Sequence, residues 1–222
     1  MSDPNADAEG NENALATLSA IEARILGSLI EKEATTPEVY PLTENAVVVA
    51  CNQKNNREPV MELQAGEVGH ALRAMTDKGL VRAVHGARAQ RYEHRFAQYW
   101  SVTARQQALL SVMLLRGPQT LAELHTRIER LTAPAELEDI RLALERLMHR
   151  APALVVNLGR GAGQREDRYM HLLCGPVSAA MMATSSEDMP AASKRGALEA
   201  RVEALEAAVE ALQRELEALR NP

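Results

Sequence analysis

Apolar residues recur every three or four positions over residues 18–30, which predicts the first amphipathic helix of the chain. Ser19 and Glu22 stand three residues apart, as in a capping box, and mark the start of this helix. The stretch Thr35-Thr36-Pro37 ends it, because proline is poorly tolerated inside a helix. A second helix is predicted to start at Thr43.

The next segment predicts a third helix and a β-hairpin. A polar stretch over residues 52–59 predicts a loop, and the third helix then runs from about residue 65 to residue 78. Gly79 ends this helix, and two extended runs follow, over residues 80–85 and 90–96. Three helices followed by a β-hairpin is the order of elements in a winged helix-turn-helix.

The same order recurs in the second half of the chain. Capping boxes open predicted helices at Thr103 and Thr120, and a further helix is predicted over about residues 134–149. Two strands are predicted over residues 154–158 and 168–173, on either side of a glycine-rich turn. This order predicts a second domain of the same kind.

A shared apolar pattern favours an internal duplication. The apolar positions over residues 68–75 match those over residues 140–147, and a Leu-Val pair follows each, at 80–81 and 154–155. Any two amphipathic helices share this period, so the helical pattern alone is equally compatible with coincidence. The Leu-Val pairs and the arginine-bearing turns after them favour a true repeat.

Residues 196–222 carry apolar residues in alternating steps of four and three, which is the a/d pattern of a coiled coil. Valine at a and leucine at d favour two strands, and charged pairs can form in either the parallel or the antiparallel orientation. A single helix packed on the globular part is the alternative, although such a helix usually has a wider apolar stripe. The predicted dimerisation residues are Leu198, Val202, Leu205, Val209, Leu212, Leu216 and Leu219.

The predicted fold class is mainly α with small β-wings: two tandem winged-helix domains and a C-terminal coiled-coil helix. The predicted segments are a disordered acidic N-terminus (1–17), a first winged-helix domain (18–100), a second (101–175), a linker (176–195) and the coiled-coil helix (196–222).

The formal net charge of −5 is unevenly distributed. Residues 1–17 contribute −4 and residues 176–222 contribute −3, whereas residues 18–100 are neutral and residues 101–175 contribute +2. The predicted globular part is therefore near neutral to slightly basic. This falls well short of the strongly basic surface expected of a dedicated nucleic-acid binder.

The motifs that would indicate an enzyme are absent from the sequence. There is no GxSxG, HExxH or Walker A motif, and the six histidines and two cysteines show no metal-ligand spacing. We therefore predict a protein that is not an enzyme and has no cofactor or metal. The unpaired Cys51 and Cys174, together with a polar N-terminus, predict a reducing, cytoplasmic location. No apolar run approaches the roughly 20 residues that span a bilayer.

A distinctive run lies between residues 36 and 61. It reads Thr36-Pro37-Glu38-x-Tyr40-Pro41-Leu42-Thr43-x-Asn45-Ala46, then Ala50-Cys51-Asn52-Gln53-Lys54-Asn55-Asn56-Arg57-Glu58-Pro59-Val60-Met61. The run resembles the uncharacterised bacterial YceH-like family, and the resemblance extends from about Leu18 through Pro176. It implies two tandem winged-helix domains and no established biochemical activity.

Double-stranded DNA is the partner that winged helices most often indicate, since the third helix enters the major groove and the wing touches the backbone. Candidate contacts lie on the third helix, in the loop before it and in the wings: Lys54, Arg57, Arg73, Lys78, Arg88, Arg91, Arg160 and Arg165. The alternative interpretation is that they are solvated charges among an equal number of acids.

The second domain favours a protein partner. Its candidate recognition helix opens with Glu136, Glu138 and Asp139, which suit the positive end of the helix dipole but repel phosphate. For the chain as a whole, the candidate DNA contacts and the predicted coiled coil lead us to expect a DNA-binding or transcription-associated regulator that acts as a homodimer. The alternative is a protein-interaction adaptor that uses the winged helices as docking surfaces.

Two features of the distinctive run carry open alternatives. The amide side chains at residues 52–56 can read adenine edges or can tie down an irregular loop, and we favour the structural role. Cys51 is either a reactive thiol or a small residue that completes the apolar face of its helix, and we favour the second.

Overall fold

The computed structural model describes residues 17–85, 89–161 and 164–177. The predictions for residues 1–16, for Arg88, for the linker beyond residue 177 and for the coiled-coil helix lie outside these residues. The described part is a mixed α/β fold in which small antiparallel sheets accompany the helices.

Each half of the described chain contains its own series of helices and strands. The first half comprises α1 (Ala20–Thr35), β1 (Leu42–Thr43), α2 (Glu44–Cys51), α3 (Ala65–Asp77), β2 (Val81–His85), β3 (Gln90–His94) and α4 (Phe96–Trp100). The second comprises α5 (Ala104–Arg116), β4 (Gln119–Thr120), α6 (Leu121–Ile128), α7 (Leu137–His149), β5 (Val155–Gly159) and β6 (Arg168–His171). A 3-10 turn at Pro37–Val39 follows α1.

The capping residues define the helix starts as predicted. Reciprocal capping boxes join Ser19 with Glu22 at the start of α1 and Thr120 with Glu123 at the start of α6. Thr103 caps α5 in the same way, and Thr43 caps α2 by accepting the backbone N–H of the helix. These side chains satisfy amide groups that have no partner within the first helical turn.

The two halves have the same sheet topology. The strand order is β1-β3-β2 in the first half and β4-β6-β5 in the second, with every pairing antiparallel. In each sheet the hairpin is formed by the last two strands. A two-residue strand, which precedes the second helix of that half in the sequence, pairs with the second strand of the hairpin. The predicted hairpins are confirmed.

Two details differ from the prediction. The two-residue strands β1 and β4 were not expected, because a strand so short has no detectable alternation of polar and apolar residues. Phe96 was assigned to an extended run but begins the short helix α4, where its ring and that of Trp100 pack with centroids 4.4 Å apart. Burial of this aromatic pair is a tertiary effect that overrides local strand preference.

The apolar pattern shared by the two halves places equivalent residues in the core. The α3 residues Val68, Ala71, Leu72 and Met75 are buried, and so are the α7 residues Ile140, Ala143, Leu144 and Leu147. All eight belong to one hydrophobic cluster that extends through both halves. The halves therefore share a core.

Helices α1 and α5 join the two halves at close range. A Cβ atom added to Gly27 of α1 would lie 2.8 Å from Cγ of Leu115 on α5, which is closer than van der Waals contact. The Ser111 hydroxyl of α5 also donates a hydrogen bond of 3.2 Å to the Gly27 carbonyl. Glycine at this position therefore allows the backbones to approach.

None of the helices in the described ranges combines the length and the apolar character needed to cross a membrane.

Candidate functional site

The C-terminal part of the distinctive run belongs to an irregular loop over residues 52–64, which we call the signature loop. Its Arg57 donates from Nη2 to Glu31 of α1 at 2.6 Å, and the two side chains are 0% and 3% exposed. Arg57 Nε also donates to the carbonyl of Ala50 at 3.0 Å. An ion pair removed from water needs such additional hydrogen bonds, and here they fix the start of the loop to the core.

The burial of Arg57 revises its predicted role. The sequence predicts this residue as a DNA contact because it lies in a polar loop, but its guanidinium points into the protein and is occupied by Glu31, Ala50 and Gln53. A phosphate outside the protein has no access to it. Arg57 is a structural residue.

A second buried arginine connects the end of α2 with the signature loop. Arg24 of α1 donates to the carbonyl of Cys51 at 3.1 Å and to that of Pro59 at 2.5 Å. Burial lowers the pKa of the Arg24 guanidinium, and the neighbouring positive charge of Arg57 lowers it further. The hydrogen bonds to these two carbonyl groups therefore compensate for the hydration that the Arg24 guanidinium loses on burial.

Asn52 closes the loop through backbone hydrogen bonds. Its side-chain amide donates to the carbonyl of Leu63, and its side-chain oxygen accepts the backbone N–H of the same residue, each at 2.8 Å. The Asn52 side chain thus makes the two hydrogen bonds that a neighbouring β-strand would make to Leu63, which lies 11 positions further along the chain. The structural role that we favoured for the amide cluster is confirmed at this position.

The signature loop also contacts the second half of the chain. The Glu58 N–H donates to the Leu115 carbonyl at 2.7 Å, and Arg116 donates to the side-chain oxygen of Asn56. Arg130, which follows α6, forms an ion pair of 2.5 Å with the other oxygen of Glu31. Both carboxylate oxygens of Glu31 are therefore occupied by arginines, one from each half.

Positive charge accumulates around this contact. Burial lowers the pKa of Arg116, and the nearby guanidinium groups of Arg127 and Arg130 lower it further. Beside these groups a cleft of about 360 Å³ opens between the last turn of α1, the signature loop and Arg130. Lys54, a predicted DNA contact, is exposed and lies in this cleft.

The other candidates from the first half have different surroundings. Arg73 lies on the exposed side of α3 and has no ion-pair partner among the described residues. Lys78 forms an ion pair of 2.6 Å with Glu22, and Arg91 donates to the carbonyls of Val39 and Pro41 at 3.2 and 2.7 Å. Only Arg73 of these three is uncommitted.

The two candidates from the second half lie at its hairpin. Arg160 forms an exposed ion pair of 3.1 Å with Asp167, whose pKa is lowered by hydrogen bonds from Asn157 and Arg160. Arg165 is exposed, without an ion-pair partner in the part of the chain that the structure describes. The structure therefore leaves Arg165 accessible and Arg160 engaged in a weak surface contact.

On the exposed side of α7, one arginine is paired with two glutamates. Arg141 lies between Glu138 at 2.5 Å and Glu145 at 3.6 Å, one turn away on either side. Leu142, next to Arg141, is 44% exposed. This surface therefore exposes a leucine side chain beside an arginine that is paired with glutamates.

Neither cysteine has the surroundings of a catalytic nucleophile. Burial raises the pKa of the Cys51 thiol to about 11, and burial and then the charge of Glu22 raise that of Cys174 to about 11. The thiolate is the reactive form, so both groups are unreactive near neutral pH. The interpretation of Cys51 as a buried apolar residue is confirmed by its exposure of 0%.

Comparison with known proteins gives the family. The family model described as "Protein of unknown function, DUF480" matches residues 18–164, which include α1, the signature loop and Arg130. The chain belongs to this family. A UPF0502 protein of Mesorhizobium japonicum is 52% identical over 189 residues, 85% of this chain and 90% of the relative.

Further relatives of this DUF480 protein carry the same UPF0502 name. One from Stenotrophomonas maltophilia is 56% identical over 166 residues, 75% of this chain and 76% of the relative. Another from Pseudomonas paraeruginosa is 54% identical over 188 residues, 84% and 83% of the two chains. The matched family segment ends before the predicted coiled-coil helix begins at residue 196.

Several charged residues of the site in this DUF480 chain are absent from the sequence-based candidates, among them Arg24, Glu31 and Arg130. A signal for two of them exists, because Arg24 and Glu31 stand seven residues apart and therefore share one face of α1, among apolar residues. A charged residue on an apolar face predicts a buried partner. Arg130 gives no such signal, because it follows an ordinary surface helix.

Proposed function

We propose that the chain is a non-enzymatic tandem winged-helix protein that binds double-stranded DNA as a homodimer. The observation that carries this proposal is the topology found in both halves. In each half a helix is followed by a β-hairpin, and the second strand of the hairpin also pairs with a two-residue strand. In winged helices this arrangement presents the helix before the hairpin to the major groove. Here that helix is α3 in the first half.

The exposed side of α3 supports contact with DNA by the first half. Its first turn exposes Ala65 and Gly66, and a Cβ at Gly66 would meet no atom within 4 Å. Small residues at a helix N-terminus permit close approach to a base-pair edge or a phosphate. Arg73, two turns further on, supplies a cation with no ion-pair partner among the described residues. Arg165 supplies a second in the other half.

The remaining candidates have supporting roles in this proposal. The ion pair of Arg160 with Asp167 is exposed, and such pairs contribute little, so a phosphate can replace the carboxylate. The heptads at residues 196–222 would bring two copies together and double the number of contacts.

The salt dependence of DNA binding tests this proposal. With the full chain and a labelled mixed-sequence duplex, fluorescence anisotropy at increasing salt should give an affinity that falls steeply, because each phosphate contact releases counterions. The variant Arg73→Gln should reduce the slope of log K against log salt by about 1 for each protomer bound. The exposed α7 variant Arg146→Gln removes the same charge and should leave the slope near the wild-type value. No binding at low salt would overturn the proposal.

The second half supports a second candidate function, a protein-interaction adaptor. The observation in its favour is α7, whose exposed side has Leu142 beside an arginine neutralised by two glutamates. An exposed apolar residue ringed by polar ones is typical of a protein-binding surface.

A variant at the centre of this surface tests the adaptor function. Leu142→Glu should remove any stoichiometric partner that copurifies with the wild-type chain, because a carboxylate would be buried in the interface. Val49→Glu, at an exposed valine of α2, is the matched control and should retain the partner. Recovery of the same partner by both variants would rule out docking through α7.

A further inference from the structure

The cleft beside the signature loop has an unusual lining. Its walls are Lys32 in the last turn of α1, the loop residues Gln53 to Asn56, and Arg130 of the second half. Glu31 and Thr35 complete the lining, which includes no apolar side chain. The volume of about 360 Å³ is that of a site for a small molecule. Such a site would have to hold its ligand through polar contacts.

The amide groups in the cleft have a defined orientation. The oxygen of Gln53 accepts from Arg57 at 3.0 Å, and the oxygen of Asn56 accepts from Arg116. A guanidinium group can only donate, so the atoms facing these arginines are the amide oxygens. The NH2 groups of Gln53 and Asn56 are therefore left as donors, and neither has an acceptor among the described residues.

The charges in the cleft also favour donors. Of the lining residues, Lys32, Lys54 and Arg130 are cations and Glu31 is the one carboxylate. Both oxygens of Glu31 are taken by Arg57 and Arg130. Neither lysine ammonium has a hydrogen-bond or ion-pair partner in the described part of the chain. The cleft therefore presents two amide NH2 groups, two ammonium groups and part of a guanidinium group as donors. The Glu31 carboxylate is already bound by arginines.

We propose that this cleft binds the phosphate group of a small phosphorylated molecule. A phosphate dianion has several acceptor oxygens and no strong donor, which matches a lining of donors with a net charge of +2. The amide of Gln53 is oriented by the buried Arg57 and that of Asn56 by the half-buried Arg116, so the site is formed before the ligand arrives. Because Arg130 comes from the second half, the ligand would contact both halves. The inference is independent of whether α3 binds DNA.

Titration of the full chain with inorganic phosphate and with pyrophosphate tests this inference. Isothermal calorimetry should show saturable binding that chloride at matched ionic strength does not reproduce. In 1H–15N NMR spectra, the side-chain NH2 signals of Gln53 and Asn56 should shift along the same binding curve. Binding that does not saturate, or saturable binding that leaves both NH2 signals in place, would overturn the inference.

Two variants that preserve the buried ion pairs locate the binding. Lys32→Gln removes one cation, and Asn55→Asp places a carboxylate at an exposed position of the cleft. Each should weaken phosphate binding about tenfold, because each removes or opposes a charge-assisted contact. Arg146→Gln on α7 loses one positive charge outside the cleft and should bind phosphate as the wild type does. Equal weakening by all three variants would indicate a general charge effect and would overturn the inference.

A duplex titration separates this inference from the proposed DNA binding. Asn55→Asp should weaken phosphate binding while the duplex affinity stays within about twofold of the wild type, since α3 is unchanged. If Asn55→Asp weakens only the duplex, and inorganic phosphate does not bind saturably, the cleft is part of a DNA surface. The inference is then wrong, and the proposed DNA binding stands.

Discussion

Replacement of Glu31 by glutamine should lower the free energy of unfolding by about 3 kcal/mol, the largest effect that we expect from one nearly isosteric change. The Glu31 carboxylate neutralises Arg57 inside the protein and Arg130 at its edge. Glutamine has the same size but no charge, so Arg57 would keep its positive charge without a counterion. Because the signature loop is fixed by Arg57, we expect the loop to loosen before the rest of the fold.

Urea denaturation of the full chain, followed by far-UV circular dichroism, measures this effect. The control is Glu38→Gln, at an exposed glutamate in the 3-10 turn, which should change the unfolding free energy by less than about 0.5 kcal/mol. Hydrogen exchange should show faster exchange of the Leu63 amide in Glu31→Gln, since Asn52 holds it within the loop. A loss in stability no larger than that of Glu38→Gln would show that the buried pair is dispensable.

Acidification should destabilise the protein through His171 before most carboxylates titrate. Burial in β6 lowers the pKa of this imidazole from 6.5 to about 4, and its Nδ1 atom has no hydrogen-bond partner among the described residues. The unfolded chain binds a proton below about pH 6.5, whereas the folded chain resists it until about pH 4. Stability is therefore fully present above pH 6.5 and is lost progressively as the pH falls towards 4.

The size of this loss follows from the width of the pH window. Each pH unit in the window costs about 1.4 kcal/mol, so about 2 kcal/mol should be lost between about pH 6.5 and about pH 5. Denaturation at a series of pH values measures the slope. His171→Gln should flatten it whatever its stability at neutral pH, whereas the exposed His149→Gln on α7 should keep it. An unchanged slope in His171→Gln would assign the acid sensitivity to other groups.

The exposed surfaces of α3 and α7 differ between the two halves. In the first half, α3 exposes small residues and Arg73, and the buried Arg24 of α1 and Arg57 of the signature loop bind backbone carbonyls and Glu31. In the second, α7 carries its own counterions for Arg141 and exposes Leu142. Two halves with the same sheet topology thus expose different side chains at equivalent helices.

Local sequence signals predicted the helices well. Capping at Ser19, Thr103 and Thr120 is a contact between residues three positions apart, and so it can be read from the chain directly. The hairpins were also predicted, because each lies between clear breaks in the helical pattern. The strands β1 and β4 were not, since their existence depends on the hairpin that they join.

The candidate site was predicted less well, for a reason visible in Arg57. In the sequence it belongs to a polar loop, where an arginine is usually exposed. In the structure it is buried because Glu31, 26 residues earlier, supplies a matching carboxylate. The sequence shows that a charge is present but gives no distance to its counterion.

The sequence by itself therefore determined the succession of helices and hairpins, the repeat, and the apolar faces that form the common core. These depend on capping, turn residues and periodicity, which act over a few residues. Tertiary structure alone decided which cations are buried, which are paired and which face the cleft. The electrostatic environment of a side chain depends on the groups that folding brings beside it, and those groups come from distant parts of the chain.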